Sequence, residues 1–158
     1  MSKKMFIIAV VSIIIFLLIV FFLLIFVSVY QSREKDKILK KSKEVVIAWG
    51  TYNYDMFPEA YLKNLQPLVA PAYYKNLSED KESLEKRKFN IKKNQYSFEA
   101  IPQEVLEIKR EGDKEYTVTI KTLMKTSSKD INKEDVKNVK VSLKKSKKEY
   151  LAYYIIAK

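Results

Sequence analysis

A chain of 158 residues suits one modest domain with appendages, and its complete lack of cysteine and histidine excludes disulfides, thiol nucleophiles, Cys/His zinc sites and Ser-His-Asp triads. With only two glycines, Gly50 and Gly112, neither the dinucleotide fingerprint nor the P-loop can be written, so the usual backbone cradles for phosphate are missing. The formal charge of +11, from 30 Lys+Arg against 19 Asp+Glu, favours anionic surroundings, and a lysine-rich solvated surface accounts for most of it.

Residues 1–4 form a short tail. From Met5 to Tyr30 no charge occurs, and Ile, Leu, Val and Phe dominate. A helix over this run rises about 39 Å, against a hydrocarbon core of about 30 Å, so it spans a bilayer with some tilt. A cleaved signal has an apolar region of only about 7–15 residues and a small-residue cleavage site, and a buried core helix does not need to be apolar on every face. An uncleaved single-pass anchor is therefore expected over 5–30. Lys3 and Lys4 precede the run, whereas Arg33, Lys35, Lys37, Lys40, Lys41 and Lys43 follow it. Counted literally, the positive-inside rule places the C-terminal part in the cytoplasm, but long domains translocate largely regardless of charge, so the charges leave sidedness open.

Residues 31–42 read as a juxtamembrane linker or helix extension, and 43–158 as the folded domain. Ile38, Val45, Trp49, Tyr52 and Met56 recur at helical spacing, which predicts a helix over about 35–55. Pro58 starts a short second helix that Pro67 stops, and Pro71 opens a third. Ser78-Glu79-Asp80 reads as the cap of a charged segment reaching about Lys88. Beyond residue 95 the period becomes two. Val105 to Arg110 and Tyr116 to Lys125 are predicted strands joined by Glu111-Gly112-Asp113-Lys114, with the glycine free to take positive φ. Val139, Val141 and Leu143 mark a third strand. "YLAYYIIA" from Tyr150 is apolar on both faces, so it is either covered on both sides or carries a contact surface. The expected architecture is α+β, about three helices on one face of a curved four-stranded antiparallel sheet. Its expected core contains Val45, Trp49, Tyr52, Leu62, Leu65, Val118, Ile120, Val141, Leu143 and Ile155.

The stretch from Trp49 to Leu77 holds the single tryptophan and a run of tyrosines. It reads as core and interface, because a binding pocket also needs convergent polar groups that the sequence does not supply. Asp130, Asn132, Glu134 and Asp135 alternate oxygen ligands like the start of a calcium loop. The loop fails where Asp135 replaces its glycine and Val141 its glutamate, leaving a solvated connection between strands. Asp55, Glu59, Glu99, Glu104 and Glu107 offer no spacing that pairs two of them for acid–base work. Lys86-Arg87-Lys88, Lys92-Lys93 and Lys144–Lys148, with Phe89 and Tyr96 available to stack, are compatible with nucleic-acid phosphates, but no reading motif accompanies them and DNA contact is not favoured. No cofactor and no metal are expected.

One N-terminal span, a helix ending in "TYNYD", then "YLKNLQPLVAP", "PQEVLEIKREGDKEYTVTI" and two closing strands together resemble the Gram-positive relatives of the eighth component of VirB-type type IV secretion systems. The resemblance implies a nuclear-transport-factor-like domain outside the cytoplasmic membrane that associates as dimers or trimers. It also implies a non-catalytic assembly role among the subunits of a conjugative DNA-transfer channel. The turn Lys144–Lys148 departs from those relatives in having no glycine before the last strand. On this reading Tyr61, Tyr73 and Tyr74 are the expected subunit contact, since aromatics are enriched in such patches. The same fold also hosts small-ligand binders. An envelope-anchored protein with an apolar cavity for lipid or peptide is therefore the alternative.

Overall fold

The computed structural model describes residues 3–147 and 149–158, with side chains described from residue 11 onward. The chain divides into two compact units, one ending at Lys37 and one spanning Ile38–Lys158.

Helix α1 (Lys3–Gly50) runs from the first unit into the second without a break, because no proline and no glycine precedes Gly50. In the first unit every described side chain from Val11 to Tyr30 is exposed, and the helix is long and apolar enough to cross a membrane. A helix apolar on all sides belongs in a large core or in a membrane, where its backbone groups are satisfied internally.

In the second unit, the last turns of α1 bury Ile38, Ser42, Val45 and Val46, spaced for one helical face. The Ser42 hydroxyl donates back to the Ile38 carbonyl at 2.7 Å, so its burial leaves no unsatisfied donor. The helix stops at Gly50 and does not reach 55. Thr51 N–H closes on the Ile47 carbonyl at 2.9 Å. Tyr52–Asn53 then forms strand β1 opposite Phe98 and Ser97. The Asn53 side chain accepts from the N–H of Asp55 and Met56 at 3.1 and 2.9 Å, turning the chain where a helix was expected. Helices α2 (Glu59–Leu65) and α3 (Pro71–Glu79) follow, separated by a 3-10 turn at Gln66–Leu68. Helix α4 (Lys81–Asn94) outruns the expected end at Lys88. Asp80 alone caps it, accepting from Ser83 N–H at 3.1 Å.

Strands β2 (Ser97–Arg110), β3 (Glu115–Ser127), β4 (Asn132–Ser146) and β5 (Glu149–Ala157) complete an antiparallel meander in the order β1-β2-β3-β4-β5. The fold is thus the expected α+β arrangement, with a short fifth strand added by β1. Gly112 has no positive φ. The turn is instead held by Arg110, whose guanidinium donates to the carbonyls of Gly112 and Asp113 at 3.0 Å. Asn132, Glu134 and Asp135, expected in a connection, lie in β4 opposite Ser127, Lys125 and Met124. Of the lysine turn expected at Lys144–Lys148, residues 144–146 belong to β4 and Lys147 takes φ 56°, while Lys148 lies outside the described residues.

One face of the sheet is buried. Val118, Val141 and Ile155 stand in register across β3, β4 and β5, next to Ile120 and Val139, and pack against Val45, Val46, Phe57, Tyr61 and Leu65 from the helical layer. Burying each such side chain contributes about 1.5–3 kcal/mol. Two register shifts in β2 and one between Ser142 and Leu143 mark bulges, which bend the strands around the helices.

Candidate interaction surface

The aromatic stretch divides into an inner and an outer group. Inside, Tyr52 meets Phe98 at 4.8 Å and Tyr61 at 5.0 Å between ring centroids, and Phe57 meets Tyr61 at 5.4 Å. Arg87 of α4 closes this group, its guanidinium 5.0 Å from the Phe57 ring and donating to the Tyr52 hydroxyl at 3.1 Å. Tyr61 is only 3% exposed, and burial pushes its phenol well above the usual range, with Arg87 acting in the opposite direction. Tyr61 is therefore a core residue and not part of a contact face. Phe57, Leu65 and Val69 are buried with it.

Among the other residues expected inside, Val45, Leu65, Val118, Ile120, Val141, Leu143 and Ile155 are buried. Trp49, Tyr52 and Leu62 are half-buried and pack against them. Trp49 follows Val45 at i+4 and Val46 at i+3 on the same stripe, one residue from the end of the helix.

The outer group forms where α3 meets the edge strand β5. Val69 bridges Ala152 in parallel, and Ala70 N–H donates to the Ala152 carbonyl at 2.7 Å, pinning the start of α3 to the sheet edge. Tyr73 and Tyr74 are half-buried there. Burial raises the Tyr73 phenol, and the nearby Tyr154 phenol adds to the effect. On β5, Tyr153 and Tyr154 are 38% and 49% exposed. The Ser142/Leu143 shift pairs Ser142 with Tyr154 and Leu143 with Ala152, so Tyr153 is the extra residue of a bulge and two consecutive tyrosines face outward. Of the two readings of "YLAYYIIA", cover on both sides does not hold at Tyr153 and Tyr154, which are exposed. The adjacent tyrosines were the visible signal, since strict alternation cannot expose both.

Asp55, Glu59, Glu99, Glu104 and Glu107 are all exposed. Glu59 pairs with Lys88 at 3.3 Å, and its own backbone N–H together with that ammonium holds its carboxyl below the usual range. Among the described residues no three His, Cys, Asp or Glu side chains gather as metal ligands. Among the described residues the arrangement offers aromatic contact area and charge.

No protein-family profile and no curated protein matches the sequence. Solved structures do share the fold. An IcmL-like type IV secretion system protein from Legionella pneumophila superposes with a TM-score of 0.60 at 12% identity, over 80% of this chain and 91% of that one. The periplasmic domain of DotI superposes with a TM-score of 0.61 at 12% identity, over 77% of this chain and 92% of that one.

Proposed function

We propose that this chain is a non-catalytic, single-pass membrane subunit of a type IV secretion channel of the conjugative kind. Its folded unit lies outside the cytoplasmic membrane and works through contacts with other channel subunits and with further copies of itself, as a dimer or trimer. One conjunction carries the reading: a fold shared over nearly the full length of an IcmL-like secretion protein and of the DotI periplasmic domain, on a chain that also has a helix of membrane-spanning character. Tyr73, Tyr74, Tyr153 and Tyr154 offer the aromatic area that subunit contacts use.

Photo-crosslinking residues placed at Tyr74 and Tyr154 in the native host test this directly. Adducts with channel subunits or a second copy are expected. Adducts with neither, together with unchanged DNA transfer after gene deletion, would refute the proposal. Protease added to intact wall-stripped cells should cleave the folded unit; full protection would place it in the cytoplasm and sink the sidedness.

A further inference from the structure

The sheet ends in two edges of different make. At β2 only Ser97 and Phe98 pair with β1, and beyond Ala100, whose N–H donates to the Thr51 hydroxyl at 3.1 Å, the strand runs on to Arg110 as an edge. That stretch carries Pro102, two bulges and exposed Glu104, Glu107 and Lys109, the features with which sheets refuse a further strand. From Tyr154 to Ala157, β5 has none of them: its pairing with β4 runs without a shift, and no charge, proline or glycine occurs. The outer side of β5 takes up the chain at Val69 and Ala70 as far as Ala152, and Pro71 then turns that chain into α3. Lys158 and Asn138 exchange both backbone hydrogen bonds at 3.1 Å, so by the alternation of an antiparallel pair the N–H and C=O of Ile155 and Ala157 point away from β4. Among the described residues no backbone group meets them.

We propose that this edge pairs with the same edge of a second copy, β5 against β5 about a two-fold axis, so that one sheet continues through both copies. The inference deepens the self-association proposed above and rests on it. A strand that meets its own copy across a two-fold axis runs antiparallel to it, and the outward groups of Ile155 and Ala157 fix the register. Ile155 of each copy exchanges hydrogen bonds with Ala157 of the other, and Ile156 faces its own counterpart at the axis. Tyr154 then stands opposite Lys158 of the second copy. Two observations favour a second copy over a strand from another protein. The register is self-complementary, because Ile156 meets Ile156 and the one charge at the end of the segment, Lys158, meets an aromatic ring and not another lysine. An uncharged edge also offers a different protein no charge pattern by which to be selected. Exposed Tyr153 and Tyr154, at the bulge where the paired segment begins, add aromatic contact area to the backbone pairing.

The sequence has no cysteine, so single cysteines report the pairing in the full chain, both purified in detergent and in membranes of the native host. In the proposed register the two Ile156 Cα atoms stand about 4.5 Å apart, within disulfide reach. Ile156→Cys should therefore give disulfide dimers under mild oxidation, several-fold more than Val136→Cys, which is 55% exposed on β4 and far from the axis. Mixed Tyr154→Cys and Lys158→Cys chains should give heterodimers well above the yield of either chain alone. Ala157→Pro removes an outward N–H that β4 does not use, and Ile156→Lys sets like charges face to face. Each should reduce the cysteine-free chain to a monomer by sedimentation while circular dichroism shows it folded. A dimer or trimer that persists by sedimentation, with cross-linking at position 156 no greater than for Val136→Cys, overturns the edge pairing and leaves self-association standing. Cross-linking at position 156 without an excess in the mixed chains overturns the register and the pairing with it. Adducts at position 156 with a different subunit alone overturn it in favour of a heterologous strand. A chain that is monomeric in detergent and in its membrane removes self-association together with the pairing.

Discussion

At Gly50 the end of α1 lies so close to β2 that an added Cβ would stand 2.5 Å from Cβ of Ala100 and 3.1 Å from Cε of Met124. The methionine end can yield; the strand cannot. Gly50→Ala is therefore expected to destabilise by about 1–3 kcal/mol, read from urea unfolding in detergent, and Ala100→Gly in the same chain should restore part of the loss. Tyr61 sets a different test, because burial keeps its phenol protonated in the folded state. The unfolded chain ionises that tyrosine above about pH 10, so stability is whole below that pH and falls as pH rises past it. Tyr61→Phe should flatten the alkaline loss between pH 9.5 and about 11, measured as the unfolding midpoint against pH; an unchanged slope would assign the loss to other groups. Leu65→Ala, at a fully buried position, should cost about 2–5 kcal/mol, and Trp49→Ala, half-buried, should cost less than the roughly 3–5 kcal/mol of a buried tryptophan.

Helix α4 shows how much of an element is set by its two ends. Asp80 supplies the single side-chain cap at its start, and Gln95 takes φ 51° at its close, a conformation that disfavours any residue with a Cβ. Asp80→Ala should lose about 0.5–2 kcal/mol, whereas Gln95→Gly should gain up to about 1 kcal/mol, both read as shifts in thermal midpoint. The strands show why some elements escape a reading by period. In β2 the inward residues are Phe98, Ala100, Val105 and Ile108, and the bulges between Pro102 and Glu104 and between Val105 and Glu107 each reverse the alternation. Only Val105 to Arg110 was visible as a strand for that reason. In β3, where no shift interrupts pairing with β4, Tyr116, Val118 and Ile120 alternate cleanly and the strand was read almost to its ends.

For the whole molecule, the decisive expectation concerns the anchor: the full chain should stay with the membrane through alkaline carbonate and leave it only in detergent, because about 30 Å of hydrocarbon matches the apolar run. Exposed ion pairs such as Lys144–Glu115 at 2.6 Å add little to the fold, so raised salt should barely move the unfolding midpoint. The apolar run, the helix-then-strand order and the missing catalytic residue types were legible without coordinates, because each depends on composition or period within one stretch of chain. Which tyrosines are inside was not legible. Tyr61, Tyr73 and Tyr74 lie close in sequence, yet Tyr61 faces Tyr52 and Phe57 while Tyr73 comes to the edge strand beside Tyr154, a residue far along the chain. The exposed ring of Phe89 belongs to the same class. Burial is a property of packing between segments distant in sequence, so tertiary structure alone sorted these aromatics into core and surface.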